Sequence, residues 1–377
     1  MPEEFSARLH SLLGVEADDL IKALDLPPVC SVRLNRRKPG AFFSDATEVK
    51  WCRSGRYLKQ RPEFIFDPLL HAGAYYVQDA SSMIYEEVTE RLIPNFKGYN
   101  NLHILDMCAA PGGKTTAMIN ALPDGATVTA NEYSPKRLHA LKENIDRWGY
   151  PEVLITNKDA SFFETQEEEF DIIAVDAPCS GEGMMRKEEV ARTQWSPKLV
   201  EDCSMLQKDI LKKVVKALKP GGFLIYSTCT FNRCENEENA EFIHRDLKLE
   251  PEDLHFPLEW GIQKGIDTTL PVYRFMPHKT QGEGLFLAVF RKSGEWKPTL
   301  NTKWKSENKG ATESFPTVEV DKEKALAYLR RESIVLRPEA PKGLVTITYK
   351  GLPLGPAKNI GTRANNLYPK NRRILKR

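Results

Sequence analysis

Two cysteines hold the most informative positions in the 377-residue chain. Cys179 lies in the segment V-D-A-P-C-S-G, Cys229 lies in Y-S-T-C-T, and each follows an apolar run typical of a buried strand. A cysteine at the point where a buried strand gives way to a loop is held rigidly with its sulfur facing a cleft, so these two thiols could meet across one reactive site. The alternative is a pair of small core thiols, because free cysteine is among the most buried residue types. The segments upstream favour the reactive site.

A glycine turn stands upstream, in L-H-I-L-D-M-C-A-A-P-G-G-K-T-T at 102–116. The apolar run 102–107 predicts a strand, and a helix is expected from about Lys114. Paired glycines let a ligand press against the backbone, and the free N–H groups of the following helix attract polar or anionic groups. The turn therefore predicts a nucleotide-like cofactor. A Walker A loop would need glycine where Cys108 stands, and the G-x-G-x-x-G fingerprint is missing from the sequence, so a phosphate-binding loop is not expected.

Acidic residues follow each of the next three predicted strands. Glu132 comes after the second strand, Asp159 after the third and Asp176 at the end of the fourth. An acid at the tip of the second strand of a nucleotide-binding sheet can accept both ribose hydroxyls, which is the role expected of Glu132. Asp159 is placed to hydrogen-bond an adenine amino group. Because ligands of open parallel sheets bind outside the carboxyl ends of the strands, these residues and the glycine turn predict one cleft.

Three ordered motifs resemble those of the Sun-family RNA cytosine-5 methyltransferases, which use S-adenosylmethionine. The motifs are D-M-C-A-A-P-G-G-K-T, D-A-P-C-S-G-E-G, and S-T-C-T followed by Glu235-Asn236-Glu237. Within this family the chain is similar to the bacterial branch that methylates small-subunit ribosomal RNA. The likeness extends to V-R-L-N at 32–35, Y-Y-V-Q-D-A-S-S-M at 75–83 and R-A-N-N-L-Y-P at 363–369, so it covers most of the chain.

The resemblance implies that Cys229 is the nucleophile that adds to C6 of cytosine and that Cys179 assists release of the methylated product. Asp176 would hydrogen-bond the N3 and N4 edge of the base, and Lys114 points toward the same cleft. The residues implied to hold S-adenosylmethionine are Cys108, Ala109, Ala110, Pro111, Gly112, Gly113, Lys114, Glu132, Asp159 and Asp176. Spacing alone leaves Cys179 open as the nucleophile, because a Pro-Cys after the corresponding strand attacks in the DNA cytosine-5 enzymes.

The fold implied by the resemblance is α/β: a Rossmann-like S-adenosylmethionine-dependent methyltransferase sheet with a small N-terminal α/β extension and a small C-terminal PUA-like RNA-binding domain. The predicted units are an N-terminal RNA-binding extension at 1–70, a catalytic domain at 71–292, a linker at 293–320 and a C-terminal module at 321–377. So small a C-terminal piece makes a marginal core, and it is expected to lean on the catalytic domain.

A long helix is expected at 198–218, where apolar residues recur at helical spacing. Its predicted core-facing stripe consists of Leu199, Cys203, Leu206, Ile210, Val214 and Leu218. The run Lys219-Pro220-Gly221-Gly222 is expected to end the helix and to start the strand that leads to Cys229. No chemistry is assigned to Cys203.

Charge is unevenly distributed along a chain whose net charge is +2. Residues 341–377 hold nine Lys or Arg and no acidic residue, and residues 30–62 hold nine basic and two acidic residues. Two basic segments around a neutral-to-acidic middle are typical of an RNA clamp, although a pair of solvated faces is the alternative. Side chains in these segments that could stack on bases or read their edges are Phe42, Phe43, Trp51, Tyr57, Asn365, Asn366 and Tyr368.

The seven cysteines stand at scattered positions without a C-x-x-C pair, and no secretory signal or long apolar span is visible. We therefore expect a cytoplasmic protein with free thiols, no metal and no membrane partner. The expected activity is methyl transfer to C5 of cytosine in RNA, with small-subunit (16S) ribosomal RNA the leading substrate and transfer RNA the alternative. Two other classes stay open: a non-catalytic RNA-binding ribosome-assembly factor, and an N-methyltransferase acting on RNA or protein.

Overall fold

The N-terminal part of the chain is a pair of helices followed by a small sheet. The structure is a computed structural model that describes residues 1–38, 40–96, 98, 101–298 and 315–375. The first elements are α1 (Glu3–Leu13), α2 (Glu16–Asp25), β1 (Ser31–Leu34), β2 (Thr47–Val49), β3 (Cys52–Tyr57), α3 (Pro68–His71), β4 (Tyr75–Val77) and α4 (Ile84–Leu92). The strands form an antiparallel sheet in the order β2-β3-β1-β4. Because β4 pairs with β1, this sheet continues past the boundary predicted at residue 70.

A large sheet follows, flanked by helices. Its elements in chain order are β5 (His103–Asp106), α5 (Gly113–Ala121), β6 (Thr127–Asn131), α6 (Pro135–Trp148), β7 (Val153–Thr156), α7 (Ala160–Glu164), β8 (Phe170–Asp176), α8 (Glu189–Gln194), α9 (Pro197–Val214), β9 (Leu218–Thr228), α10 (Glu237–Arg245), β10 (Leu249–Pro251), β11 (Gln263–Lys264), β12 (Tyr273–Phe275) and β13 (Leu285–Lys292). Local signals explain several of these bounds. Pro135 starts α6 at the first helical position, and Gly149 ends it in the left-handed conformation.

The strand order of the large sheet is β11-β12-β13-β9-β8-β5-β6-β7, with β10 on β13. β5 to β9 run parallel, and β13 runs antiparallel to β9. The order reverses between β5 and β8, which is the switch point at which open α/β sheets bind ligands. This topology confirms the predicted Rossmann-like sheet and places the ends of β5, β6, β8 and β9 around one cleft.

The long helix differs from the prediction in its end and in its buried face. α9 stops at Val214, and β9 already starts at Leu218, because the Lys219 ammonium pairs with buried Asp171 at 2.6 Å and draws this segment into the sheet. Of the predicted stripe, Leu206 is 46 % exposed and Cys203 is only half-buried. The buried face instead includes Val200, Ser204, Gln207, Ile210, Leu211 and Val214. The polar residues Ser204 and Gln207 are thus buried, whereas the predicted core positions Cys203 and Leu206 are not.

The C-terminal module is a four-stranded sheet with one helix among the described residues. Its elements are β14 (Thr317–Glu319), α11 (Lys322–Leu329), β15 (Gly343–Tyr349), β16 (Leu352–Asn359) and β17 (Ala364–Asn366), in the strand order β14-β15-β16-β17. β14 lies inside the predicted linker and pairs in parallel with β15. Residues 299–314 of that linker are outside the described residues.

The module packs on the N-terminal sheet rather than mainly on the catalytic domain. One apolar cluster, which we call the terminal core, joins residues of the module with residues of the N-terminal unit. Its members include Val318, Tyr328, Leu329, Val345 and Ile347 from the module and Val32, Phe64, Leu69, Ala74 and Tyr75 from the N-terminal unit. The expectation that the module leans on the catalytic domain is therefore wrong in its main contact, although Arg372 does form an ion pair with Asp146 on α6. No helix in the described ranges is long and apolar enough to cross a membrane.

Candidate active site

Cys179 and Cys229 lie in the loops that follow the neighbouring strands β8 and β9, and their sulfurs approach to 3.2 Å. Both thiols are free and half-buried. The hydrogen bond with Cys229, together with burial, raises the pKa of the Cys179 thiol well above its usual range. Cys179 therefore keeps its proton, and its S–H can donate to the sulfur of Cys229. The two strand ends bring the thiols together as the sequence predicted.

Each cysteine loop is held by a buried carboxylate from the other loop. Glu182, in the first loop, accepts hydrogen bonds from the Thr230 hydroxyl at 2.7 Å and from the two backbone N–H groups that follow it. Glu235, after the second loop, accepts from the Ser180 backbone N–H at 3.0 Å and from its hydroxyl. A Cβ at Gly183 would lie 2.9 Å from a backbone oxygen of the second loop. The acidic residues of both motifs thus brace the thiols, a role that sequence reasoning missed despite their fixed offsets from the cysteines.

Asp176 and Lys114 lie in the same cleft. The Lys114 ammonium, on the first turn of α5, is 2.6 Å from Asp176 Oδ1, and the Ser227 hydroxyl donates to the same oxygen at 2.7 Å. Among the described residues both close polar partners of Asp176 reach Oδ1, which leaves Oδ2 for a ligand. Burial by itself would lower the pKa of Lys114, but the Asp176 carboxylate and the two sulfurs outweigh it and raise the pKa. The cleft therefore combines a charged lysine, a carboxylate and two thiols.

The glycine turn begins α5 at the end of β5. Gly112 has a φ of +104°, in the left-handed region that favours glycine, and it caps the helix. Asp106, the last residue of β5, is 1 % exposed and accepts a hydrogen bond from the Thr115 hydroxyl at 2.6 Å. Its Oδ1 is buried and accepts no hydrogen bond from any described residue. Burial raises the pKa of Asp106 to about 7. Sequence reasoning assigned Asp106 no role, although it is the first letter of the glycine motif.

Small side chains and backbone form the wall of this turn. Ala109 and Ala110 are each 4 % exposed, and the Ala109 N–H donates to the Asn131 carbonyl at 2.8 Å. Arg137 donates to the Ala110 carbonyl from the start of α6. Burial raises the pKa of the Cys108 thiol, so Cys108 contributes a neutral side chain to the wall. Cys108 to Gly113 therefore form one continuous segment that leads from β5 into α5.

Glu132 and Asp159 differ in how available their carboxylates are. Glu132, after β6, is 4 % exposed, and its Oε1 accepts the Ser134 N–H at 2.8 Å. Its Oε2 lies 3.4 Å from the Arg137 guanidinium and accepts no hydrogen bond from the described residues. Asp159, after β7, is exposed and caps α7 by accepting the Ser161 N–H at 2.9 Å, a bond that lowers the pKa of Asp159. Glu132 thus has one buried oxygen that accepts no hydrogen bond from the described residues. The carboxylate of Asp159 is exposed, and one of its oxygens caps α7.

Arg33, from V-R-L-N, braces the glycine turn from behind. Its side chain is fully buried and donates to Gln78 Oε1 at 2.7 Å, to the Thr116 hydroxyl at 2.6 Å and to the Gly113 carbonyl at 3.2 Å. The guanidinium also lies 4.7 Å from the Trp148 ring centroid. The N-terminal sheet therefore supports the glycine turn. No cluster of three or more His, Cys, Asp or Glu able to hold a metal occurs among the described residues.

Several residues predicted to face RNA are internal. Trp51 is 3 % exposed and donates to the Ala80 carbonyl, Tyr368 is 5 % exposed, and Asn366 donates to the carbonyls of Tyr328 and Glu332. Their predicted stacking and edge-reading roles are wrong because these groups serve the interior. Phe42 and Phe43 pack against the terminal core, Tyr57 binds the Gln281 carbonyl, and Asn365 is half-buried. Exposed basic residues remain in both segments: Lys50, Arg53, Lys59, Arg61, Lys342, Lys350, Lys358, Arg363, Lys370 and Arg373.

Family comparisons cover nearly the whole chain. A family model described as 16S rRNA methyltransferase RsmB/F matches residues 95–291. The flanks match the N-terminal domain of 16S rRNA methyltransferase RsmF at 1–80 and the methyltransferase RsmF PUA domain at 315–374. The last match confirms the predicted PUA-like character of the C-terminal module.

Curated relatives share about a third of the residues. The ribosomal RNA small subunit methyltransferase F of Pectobacterium atrosepticum is 33 % identical over 319 residues, which are 79 % of this chain and 64 % of the relative. The enzyme of that name from Shewanella amazonensis is 31 % identical over 357 residues, which are 89 % of this chain and 72 % of the relative. The chain thus spans slightly less than two thirds of the length of relatives such as the Pectobacterium atrosepticum enzyme.

Two solved structures from Pyrococcus horikoshii share the fold. A methyltransferase homolog protein is 25 % identical with a TM-score of 0.65, and the match covers 78 % of this chain and 95 % of that one. NSun6, solved with SFG, is 22 % identical with a TM-score of 0.66, and the match covers 78 % and 99 % of the two chains. Taken with the three family matches and the paired cysteine loops, these likenesses show that the chain belongs to the 16S rRNA methyltransferase RsmB/F family.

Proposed function

We propose that this protein transfers a methyl group from S-adenosylmethionine to C5 of a cytosine in small-subunit ribosomal RNA, through a covalent bond between Cys229 and C6 of the base. The observation that carries the proposal is the 3.2 Å contact of the two thiols beside the Lys114–Asp176 pair. An N-methyltransferase needs no second cysteine, because an amino group can attack a methyl donor directly. An RNA-binding factor without activity needs neither thiol.

The cleft fits S-adenosylmethionine, which supplies an electrophilic methyl group when bound. The glycine turn lets a ligand approach the backbone, and Glu132 Oε2, which accepts no hydrogen bond from the described residues, suits the ribose hydroxyls. The first N–H groups of α5 suit the carboxylate of the methionine part. Cys108 to Gly113 would line the same pocket, Lys114 and Asp176 would close it toward the base, and Asp159 would approach the adenine from the edge.

The reaction requires that C5 of cytosine be made electron-rich. The Cys229 thiolate adds to C6, which turns C5 into an enamine-like carbon able to take the methyl group. Asp176, with Oδ2 free, would hold the N3 and N4 edge and favour the protonated adduct. The proton on C5 then leaves, and the C6–S bond breaks, which restores the thiolate and the aromatic base. Cys179, beside the bond that breaks, would assist this last step.

The S-T-C-T motif that resembles the family's favours Cys229 over Cys179 as the attacking group. The contact with Cys229 and burial raise the pKa of the Cys179 thiol, which suits a thiol that keeps its proton. The Lys114 ammonium provides a positive charge that stabilises a thiolate in the cleft.

Ribosomal RNA is proposed as substrate from the relatives' names and from the surface. Exposed basic side chains occur in both flanking units, and the terminal core holds these units together. A positive surface of this kind suits the phosphates of folded RNA. The PUA match of the module supports the same class of partner.

Incubation with methyl-labelled S-adenosylmethionine and total RNA tests the proposal. We expect 5-methylcytosine in digests of small-subunit ribosomal RNA, and the Cys229→Ala variant should give none. Label in transfer RNA alone would show that transfer RNA, the alternative substrate, is the one methylated. Label on an exocyclic nitrogen or on protein would contradict the reaction, and RNA binding without label would leave a non-catalytic factor.

A further inference from the structure

A chain of three side chains runs from α4 into the cleft. The Tyr85 hydroxyl lies 2.9 Å from the Ser227 hydroxyl, which in turn lies 2.7 Å from Asp176 Oδ1. Tyr85 and Ser227 are both fully buried. Ser227 and Asp176 are register partners on the parallel strands β9 and β8, so their side chains are neighbours on one face of the sheet. Tyr85 comes from the helix that precedes the large sheet.

The direction of the hydrogen bonds in this chain is fixed by the groups themselves. Burial, with the nearby Asp176 charge, raises the pKa of Tyr85 well above its usual range, so the phenol keeps its proton and donates to Ser227. The Ser227 hydroxyl has one proton, and it goes to Asp176 Oδ1. A carboxylate that receives this bond and the Lys114 ammonium on one oxygen is fixed in rotation about its carbon–carbon bond.

We propose that Tyr85 and Ser227 are positioning residues that orient the Asp176 carboxylate so that its Oδ2 faces the target base. The inference rests on the proposed function, because the base is its object. The Ser227 hydroxyl is not needed by the sheet, since the Ser227 backbone is already paired with β13 and its carbonyl accepts the Ala177 N–H at 2.9 Å. The Tyr85 hydroxyl has no other described partner than Ser227. Both hydroxyls therefore serve the carboxylate.

Covalent trapping measures the step in which Asp176 acts. Small-subunit ribosomal RNA transcribed with 5-fluorocytidine retains the adduct, because fluorine replaces the C5 proton that must leave. With S-adenosylmethionine present, we expect Ser227→Ala to form the adduct about tenfold more slowly, as fits the loss of one hydrogen bond to a charged group. Tyr85→Phe should slow it less, by about threefold, since Ser227 still reaches Asp176 and the ring stays near Lys114.

The double variant separates positioning from folding. Ser227→Ala leaves the Tyr85 hydroxyl buried without a partner, which lowers stability, and Tyr85→Phe in the same chain removes that unpaired group. The double variant should therefore recover thermal stability while its trapping rate stays as low as that of Ser227→Ala. Thr89→Val is the matched control, because it removes another buried hydroxyl one turn along α4 that bonds only the Tyr85 carbonyl. Its trapping rate should equal that of the wild type.

The dependence of the trapping rate on RNA concentration supplies a second readout. Ser227→Ala should lower the rate at saturating RNA while the affinity for S-adenosylmethionine stays unchanged, because Asp176 acts on the bound base. Wild-type rates in both single variants, or a double variant that recovers its rate together with its stability, would overturn the inference. A wild-type enzyme that traps no RNA would instead contradict the proposed function.

Discussion

At the scale of single residues, two sulfurs that nearly touch have different surroundings. The buried Glu235 fixes the loop of Cys179 by accepting hydrogen bonds from the neighbouring Ser180. The contact with Cys229 and burial raise the pKa of the Cys179 thiol, so it keeps its proton. Cys229 lies between Thr228, which donates to Asn236, and Thr230, which donates to Glu182. The two loops are therefore locked to one another, and removal of either sulfur should leave the other in place.

Substitution of the two cysteines should give opposite results. Cys179→Ala should still attack C6 but fail to resolve the intermediate, so a protein–RNA species that survives denaturing gels should accumulate. Cys229→Ala should form no such species and show no turnover. The signatures differ because one variant blocks a bond-breaking step and the other blocks bond formation. A trapped species in Cys229→Ala and none in Cys179→Ala would reverse the roles.

Asp106 should make stability depend on pH. Its pKa is raised from 3.8 to about 7 by burial, so the stability it contributes is full below pH 3.8 and is lost as pH rises to about 7, where the folded state also ionises. Asp106→Asn should remove this decline, which at roughly 1.4 kcal/mol per pKa unit amounts to several kcal/mol. Urea unfolding between pH 4 and pH 8 measures it, with the exposed Asp246→Asn as control. An unchanged slope in Asp106→Asn would contradict the expectation.

The residues of the cleft were predictable where a strand end and a motif coincide, as at Asp176 and Cys229. Tyr85 was not, because its contact with Ser227 joins residues 142 positions apart and no local pattern announces it. Trp51 shows the reverse error: an aromatic in a basic segment suggested stacking on RNA, but its indole is 3 % exposed. Composition indicates which segment is charged, and tertiary packing decides which of its side chains face outward.

At the scale of elements, one buried arginine joins the N-terminal sheet to the glycine turn. Arg33 reaches from β1 to the start of α5, where it donates to the Gly113 and Thr116 carbonyls and to the Thr116 hydroxyl. A lysine could keep the charge but not the planar fork of donors. The V-R-L-N motif is therefore a structural joint between the two units.

Arg33→Lys should destabilise the protein and weaken cofactor binding together. We expect a loss of about 2–4 kcal/mol in the free energy of unfolding, because several buried acceptors lose charged donors. Denaturant titration and binding of S-adenosylmethionine by calorimetry measure the two effects. Arg53→Lys, whose side chain is 74 % exposed, should change stability by less than about 0.5 kcal/mol. A fully stable Arg33→Lys protein would show that the joint is not needed.

The sequence predicted the main strands of the large sheet, but it misplaced the boundary between α9 and β9. The apolar spacing from Leu199 to Leu218 fits a helix throughout, yet Leu218 belongs to β9. Gly221, with a φ of +71°, allows the irregular start of this strand, and the Lys219–Asp171 pair fixes it. The polar Gln207 on the buried face binds the Pro178 carbonyl and Glu235, so the helix serves the cysteine loop rather than apolar core alone.

At the scale of the whole molecule, the two ends of the chain meet in the terminal core. Deleting 341–377 would remove strands β15 to β17 and expose apolar side chains of the N-terminal unit, so RNA binding is better examined by point changes. The exposed Lys350 and Lys358 belong to the module and leave its core untouched.

Lys350→Glu combined with Lys358→Glu should weaken RNA binding and flatten its salt dependence. Each phosphate contact that is lost reduces the slope of log affinity against log salt by about 0.7–0.9. Filter binding at several salt concentrations measures the slope, and cofactor affinity should not change. Lys142→Glu with Lys248→Glu alters the net charge equally outside both basic segments. An equal loss in both double variants would mean that only net charge matters.

The terminal core also means that the chain need not be continuous to stay whole. Residues 1–298 and 315–377, produced together as separate polypeptides, should associate without a covalent link, since Tyr75 and Phe64 on one piece pack with Tyr328 and Ile347 on the other. Co-purification through a tag on the shorter piece measures this. Tyr75→Asp should abolish it. In such a split protein the two basic surfaces that we propose to bind RNA belong to separate polypeptides, so affinity for RNA should depend on protein concentration.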